Sequence, residues 1–176
     1  GIQLTTDAPS SYFVRKNTPD TQLEELKQKA DNGDPQAQHN LGSLYQTQGD
    51  YKRAEHYLKL SAQHKMTGSH HNLGLIYFNQ GKLDLAEHYF KFAADKGIPE
   101  SQSALGMVYQ KLGKLDEAKK YYKLAADKGH IIAQYNLAVL YDSKDHNYSL
   151  AEKYYKLAAD KGFIRAQNNL GNIYYN

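Results

Sequence analysis

The sequence contains no cysteine and no tryptophan, and it has no long apolar run. Without cysteine the chain can form neither a disulfide nor a thiolate metal site, and it has no thiolate nucleophile. No stretch approaches the roughly 18 apolar residues of a transmembrane helix, so we expect no direct membrane insertion. The formal net charge of +3 over 176 residues is too small to call for a nucleic-acid or membrane partner.

The start of the chain says little about targeting. It begins at Gly1 rather than at a methionine and has no apolar signal core, which leaves open that a targeting signal has been removed. Residues 1–17 are polar and aperiodic. We expect them to form a flexible N-terminal segment ahead of one repeat domain at residues 18–176.

What the sequence does contain is a pattern that recurs every 32 or 33 residues. Each copy has a leucine followed, at i+4, by a tyrosine. A segment with a small residue and paired aromatics comes next, and later copies close on KLAADKG, at Lys123–Gly129 and Lys156–Gly162. The leucine–tyrosine pairs are Leu41–Tyr45, Leu73–Tyr77, Leu105–Tyr109, Leu137–Tyr141 and Leu170–Tyr174. A period of this length indicates stacked helical hairpins.

The residue pattern of each repeat predicts two amphipathic helices, A and B, joined by a short turn. The leucine and tyrosine share one face of helix A, and Leu124 and Leu157 are predicted to continue the apolar stripe of helix B. Asp84 and Asp116 stand near the start of B helices, where an acid is suited to N-capping. We expect A helices at 35–47, 69–80, 100–111, 132–142 and 165–175, and B helices at 51–64, 84–96, 116–128 and 148–160.

An extra helix at 20–31, with Thr21 and Glu24 as a capping box, precedes the first hairpin. Its end, Ala30-Asp31-Asn32-Gly33, aligns with the AADKG sequence of the later copies. We therefore expect it to cap the N-terminal edge. The predicted fold class is all-α, a right-handed α-solenoid of stacked antiparallel helical hairpins with a capping helix, four hairpins and one final half repeat.

At these residues the chain resembles the Sel1-like repeat family, which is closely related to the tetratricopeptide repeat. The resemblance covers roughly residues 20–176. The family pattern AxxLGxxY, then AxxxYxKAAxxG, is matched at Ala133, Leu137, Ala138, Tyr141, Ala151, Tyr155, Lys156, Ala158, Ala159 and Gly162, and Ala166 begins the next helix. The first copy departs from the pattern because Lys65 stands at the glycine position, and we expect an irregular junction there.

In both families the A helices line a concave face, so the resemblance implies an adaptor or scaffold that binds a protein or peptide there. The middle of this face is predicted to be an apolar groove flanked by polar residues. The alternative is that adjacent repeats bury the same apolar side chains against one another. The predicted partner-binding residues are His39, Asn40, His71, Asn72, Leu75, Phe78, Asn79, Met107, Gln110, Lys111, Tyr135, Asn136, Val139, Asp142, Asn169 and Asn172.

Asparagines occupy equivalent positions in four of the repeats, at Asn40, Asn72, Asn136 and Asn169. An amide both donates and accepts, so such a row can pair with a peptide backbone whatever its sequence. The alternative is that each asparagine ties its own repeat to the backbone of a neighbour.

Two other function classes find little support. RNA binding, the alternative for helical repeats of this length, needs cations on the binding face, yet the predicted A helices carry only Lys111 and Arg165. The chain has no GxxxxGK phosphate loop and no HExxH among its eight histidines. We therefore expect no nucleic-acid partner, no enzymatic activity, no metal site and no cofactor.

The resemblance also suggests a setting. Bacterial Sel1-like proteins are often exported or envelope proteins, and some engage host factors. It therefore favours a secreted or envelope-associated bacterial protein whose partner is a host protein. At the C-terminal edge no further B helix covers Leu170, Ile173 and Tyr174. Three interpretations stay open: the preceding helix and tail suffice, the natural protein continues, or a second molecule packs there as a homodimer.

Overall fold

The computed structural model describes residues 19–175, and the predicted flexible segment 1–17 lies outside them. Over this range the backbone forms α-helices and no strand. The helices are α1 Pro19–Asp31, α2 Pro35–Thr47, α3 Tyr51–Gln63, α4 Thr67–Asn79, α5 Leu83–Asp95, α6 Pro99–Lys111, α7 Leu115–Asp127, α8 Ile131–Ser143, α9 Tyr148–Ala159 and α10 Ile164–Tyr175. Every predicted helix is present and ends within two residues of its predicted bounds, which confirms the all-α class of stacked hairpins.

The chain divides into two compact units, with the boundary inside α4. Unit one ends at Asn72, and unit two begins at Leu73. In unit one, α1 packs on the first hairpin. The core there is formed by Ala30, Ala37 and Leu41, with Leu23, Leu26, Tyr45 and Tyr57 partly buried around it. Helix α1 therefore covers the apolar face of the first A helix, as the sequence predicted.

The junction between α3 and α4 in unit one has Lys65 at the position that glycine holds in the later repeats. Lys65 adopts a φ of 62°, a backbone conformation that residues other than glycine rarely take. Nearby, the buried hydroxyl of Ser69 donates to the hydroxyl oxygen of Ser61 at 2.7 Å. The Nδ1 atom of His39 lies 2.8 Å from the same Ser69 oxygen. A polar chain thus occupies a place where later repeats bury alanines.

In three hairpins, the glycine after the motif leucine is explained by close packing of the two helices. In unit two, a Cβ atom at Gly74 would lie 2.5 Å from the ring of Phe90, and one at Gly106 would lie 2.6 Å from the ring of Tyr122. In unit one, Gly42 has the same relationship to Leu58, at 2.6 Å. In these three hairpins a residue with a Cβ atom would therefore not fit without a shift of the facing side chain.

Three local predictions about helix B and the capping helix are wrong. Asp84 and Asp116 lie in the first turns of α5 and α7, and the N-cap positions are lysines whose side chains make no capping hydrogen bond. Because α1 begins at Pro19, Thr21 lies inside the helix and is not its N-cap. Leu124 and Leu157 do not belong to the buried stripe, since they are 42% and 39% exposed.

A link that the sequence did not reveal joins the A helices α2, α6 and α8 to the helix that precedes each of them. The buried Gln134 side chain donates from Nε2 to the carbonyl oxygen of Ala126 at 3.1 Å. Gln102 bonds Ala94 in the same way, and so does Gln38 with Ala30 in unit one. The glutamine thereby adds a second donor to a carbonyl near the end of the preceding helix, which also accepts the backbone N–H of the glycine three residues later.

Candidate protein-binding surface

The apolar residues predicted for the groove lie in unit two, outside the fully buried core. On α4, Leu73, Ile76 and Tyr77 are buried, whereas Leu75 and Phe78 keep part of their surface accessible. On α6, Met107 is 37% exposed between buried neighbours. On α8, Tyr135 and Val139 are half-buried, while Leu137 and Leu140 are buried.

These residues fall into columns of equivalent positions on successive A helices. Leu75, Met107 and Val139 are 32 residues apart and form an apolar column that Asn172 extends on α10. A second column contains Phe78, Gln110 and Asp142. Helical geometry places each member of the second column one turn from its partner in the first. The face therefore combines an apolar strip with a more polar one.

Phe78 and Lys111 join two of these helices directly. The Nζ atom of Lys111 lies 5.6 Å from the centroid of the Phe78 ring, within the range of a cation–π interaction. Lys111 is exposed, as are Asn79 and Gln110. The apolar column is thus bordered by one cation and two neutral amides that are accessible to a partner.

Tyr135 is bound more firmly into the repeat than the other apolar residues of the face. Its ring centroid lies 5.1 Å from that of Phe163 and 6.0 Å from that of Tyr155. Its hydroxyl oxygen is 3.5 Å from the Nδ2 atom of Asn169. Tyr135 therefore packs against the repeat that follows it. Sequence reasoning did not single out Phe163.

Three members of the asparagine row bond to side chains of preceding repeats. In unit two, Asn169 donates to the hydroxyl oxygen of Tyr155 at 3.1 Å, and Asn136 is hydrogen-bonded to the hydroxyl of Tyr122. In unit one, Asn72 donates to the hydroxyl oxygen of Ser43 at 2.9 Å. These contacts are with side chains, whereas the alternative to peptide binding expected each asparagine to bond the backbone of a neighbouring repeat. They use part of each amide, so a peptide-pairing role for the row stays a prediction.

The predicted residues of unit one form a smaller, polar set. His39 is half-buried in the serine chain, and burial lowers its pKa. Asn40 is exposed, and its side-chain oxygen accepts a hydrogen bond from Gln36 at 2.9 Å. His71 is half-buried. Unit one thus contributes no apolar residue to the predicted surface.

The polar column contains a carboxylate that is held in place. The buried hydroxyl of Tyr155 donates to the Oδ2 atom of Asp142 at 3.1 Å. Asp142 and Asn172 line a cavity of about 450 Å³ together with Tyr148 and Ile173. Sequence reasoning missed the part that Tyr148 and Ile173 play because both lie off the repeat positions assigned to the A-helix face.

Other chemistry is not apparent in the described range. Residues 19–175 contain no group of three or more histidine, aspartate or glutamate side chains placed to hold a metal ion. None of the described helices combines the length and apolar character needed to cross a bilayer.

Family models match most of the chain. Two models of the tetratricopeptide repeat match residues 36–63, and 67–93 with 99–127. The Sel1 repeat model matches 131–163 and 164–176. No curated protein sequence gives a significant match.

Solved structures give the same picture. A protective antigen of uropathogenic Escherichia coli strains, described as displaying an SLR fold, is 32% identical with a TM-score of 0.75. The match covers 86% of this chain but only 36% of the antigen, so the chain spans about a third of that protein. A Sel1 repeat protein from Oxalobacter formigenes is 26% identical over 92% of this chain and 72% of its own, with a TM-score of 0.71.

The TPR protein YrrB shares the fold at 23% identity, with a TM-score of 0.64 and 85% of each chain covered. Repeat architecture, family models and structural neighbours therefore agree. The chain belongs to the Sel1-like repeat proteins of the tetratricopeptide-repeat superfamily.

Proposed function

We propose that the chain is a protein-interaction adaptor that binds a peptide or protein segment on the A-helix face of unit two. The tetratricopeptide and Sel1 repeat fold supports an interaction role in general, and repeat families of this type are generally non-enzymatic scaffolds. The single observation that carries the finer proposal is the accessible apolar column of Leu75, Met107 and Val139 beside a buried core.

The physical reason is that a solvated apolar strip gains free energy when a partner covers it. Full burial of a side chain of this size contributes about 1.5–3 kcal/mol relative to full exposure. Met107 has the most exposed side chain of the column, and its flexible thioether adapts to differently shaped partners. The bordering groups, Lys111, Gln110 and Asn79, would fix the orientation of a bound segment through hydrogen bonds.

One structural neighbour with this fold supports the proposal of a peptide ligand. YrrB is described as a TPR protein with an unusual peptide-binding site. Its identity to this chain is too low to transfer the site itself. The proposal that the partner is a host protein, and that the chain is a secreted or envelope-associated bacterial protein, rests on the family resemblance alone.

The experiment begins with selection of peptides from a random displayed library against the full chain. Dissociation constants are then measured for Met107→Asp and for Leu124→Asp as the matched control. Both side chains are exposed to a similar extent, 37% and 42%, but Leu124 lies on the B helix α7. We expect Met107→Asp to weaken binding by roughly tenfold or more and Leu124→Asp to leave it unchanged. Equal effects of the two would overturn the proposal.

A second proposal concerns association through the C-terminal edge. On one face of α10, Tyr174 is exposed by 57%, and Leu170 and Ile173 are half-buried. An apolar helix face of this kind is suited to an isologous contact with a second copy. The homodimer stays a proposal, tested by the oligomeric state as described in the Discussion.

A further inference from the structure

The cavity at the end of the A-helix face has walls of unlike chemistry. The described residues that line it are Asp142, Tyr148, Asn172 and Ile173, and its volume is about 450 Å³. Tyr148 is 53% exposed. The cavity thus offers a carboxylate, an amide, an accessible aromatic ring and an aliphatic side chain within one concave site.

The carboxylate of Asp142 is positioned by a chain of hydrogen bonds. Asn169 donates from Nδ2 to the hydroxyl oxygen of Tyr155 at 3.1 Å, and that hydroxyl donates to Oδ2 of Asp142 at 3.1 Å. Tyr155 is only 1% exposed, and burial raises the pKa of its phenol to about 12. The phenol therefore stays a donor at physiological pH and holds one carboxylate oxygen in place.

The negative charge is not required for this structural bond. In the preceding repeat, the hydroxyl of Tyr122 donates to the Oε1 atom of Gln110 at 2.8 Å. Gln110 stands 32 residues before Asp142, so a neutral amide accepts the equivalent bond. Asp142 also lies in the last turn of α8, where the helix dipole disfavours an acid. The hydrogen bond from Tyr155 therefore does not explain why this position carries the negative charge of an aspartate.

The other charged residues in this part of the chain have hydrogen-bond partners or are not among the described lining residues. Asp145 accepts a hydrogen bond from Lys119 at 2.7 Å, and Glu152 accepts one from Tyr174 at 3.3 Å. Lys144 is exposed and is not among the lining residues. None of the described residues that line the cavity is a cation, so Asp142 gives this part of the wall a negative character.

We infer that this cavity is a specificity pocket for an arginine side chain of the bound peptide. A guanidinium pairs with a fixed carboxylate through parallel hydrogen bonds and stacks on an aromatic face such as that of Tyr148. The amide oxygen of Asn172 accepts a further N–H, and Ile173 packs on the aliphatic stem. The inference rests on the proposed function, because it names one residue of the peptide that the A-helix face binds.

The test uses the full chain, labelled with ¹⁵N, and two small probes. N-acetyl-arginine methylamide carries the guanidinium, and N-acetyl-citrulline methylamide has nearly the same shape without the charge. We expect the arginine probe to shift the amide signals of Asp142, Tyr148, Asn172 and Ile173 with an affinity at least roughly tenfold above that of citrulline. Equal affinities, or no shift at these residues, overturn the inference.

Two variants make the test specific. Asp142→Asn removes the charge but keeps an acceptor for Tyr155, so the arginine preference should disappear while the fold is retained. Asp116→Asn makes the same charge change at a carboxylate whose side chain is 94% exposed on α7, and the preference should persist. Retention of the preference in Asp142→Asn contradicts the inference.

The outcome is separable from that of the proposed function. If library selection yields no peptide but the arginine probe binds the cavity, the pocket stands and the groove proposal fails. If selected peptides bind through Met107 but contain no enriched arginine, and the probe does not bind, the pocket inference fails alone.

Discussion

The Nζ atom of Lys128 donates a hydrogen bond of 2.7 Å to the carbonyl oxygen of Gly97, one repeat earlier. Lys161 repeats this relationship with Gly129 at 2.8 Å. Both lysines belong to AADKG sequences. Each reaches the carbonyl at the end of the preceding B helix, where the helix dipole is negative and carbonyls lack intrahelical partners. The recurring lysine is thus a connection between repeats.

We predict that Lys128→Met destabilises the chain although the side chain is exposed. The variant keeps most of the aliphatic stem but loses the hydrogen bond to Gly97, with an expected cost of roughly 0.5–1 kcal/mol in the free energy of unfolding. Urea unfolding of Lys156→Met, a similar change at an exposed lysine on α9, serves as the control. Equal unfolding midpoints for the two variants would show that the bond contributes nothing.

We predict that replacing the motif glycine by alanine has opposite effects on stability at Gly106 and at Gly171. Gly106→Ala places a Cβ atom 2.6 Å from the Tyr122 ring, so we expect a loss of about 1–3 kcal/mol from overpacking. Gly171 holds the equivalent position in α10 but has no atom within 4 Å of a built Cβ. Gly171→Ala should therefore stabilise the helix by up to about 1 kcal/mol. Thermal unfolding that shows the same sign for both would refute the packing explanation.

We predict that unit one becomes less stable toward unfolding at acidic pH because of His39. Burial lowers the pKa of His39 below the usual histidine value of 6.5, so between the folded and unfolded pKa values the unfolded chain binds more protons. The stability contribution is present above pH 6.5 and is lost as pH falls toward the folded pKa. His39→Gln should flatten this dependence relative to wild type, whereas His56→Gln, at an exposed position, should not. An unchanged pH profile in His39→Gln would contradict the assignment. Burial also lowers the pKa of His130, which remains in both variants.

The homodimer proposal predicts a dimer by light scattering and a monomer for Leu170→Asp. A carboxylate on the half-buried face of α10 would be desolvated at a contact between copies. Circular dichroism checks that the variant keeps its helices. A monomeric wild-type chain ends the proposal before any variant is made.

The helices and their stacking were predictable because they depend on periodicity. Leucine and tyrosine at i and i+4 mark the buried face of each A helix, and the positive φ of Gly97 and Gly129 ends the B helices as expected. Periodicity alone did not show that Leu124 faces solvent. A hydrophobic residue beside a buried stripe has the same sequence signature whether it lies inside or outside.

Links between repeats were harder to predict because their partners are far apart in sequence. The recurring aspartate of AADKG had no evident partner in sequence, yet Tyr154 donates to Asp127 at 3.2 Å, and in unit one Tyr57 donates to Asp31 at 2.9 Å. Both aspartates accept a bond from the next B helix. For the candidate site, the sequence predicted the A-helix face but not the cavity beside Asp142, since Tyr148 comes from the start of a B helix.

The most direct test of the binding surface uses the two methionines of the chain as probes. Met107 belongs to the proposed apolar column, and Met66 lies at the junction between α3 and α4 in unit one. With ¹³C-methyl-labelled methionine, a selected peptide should shift the Met107 signal in proportion to its occupancy and leave the Met66 signal in place. A peptide that binds with full occupancy without moving the Met107 signal would contradict the account.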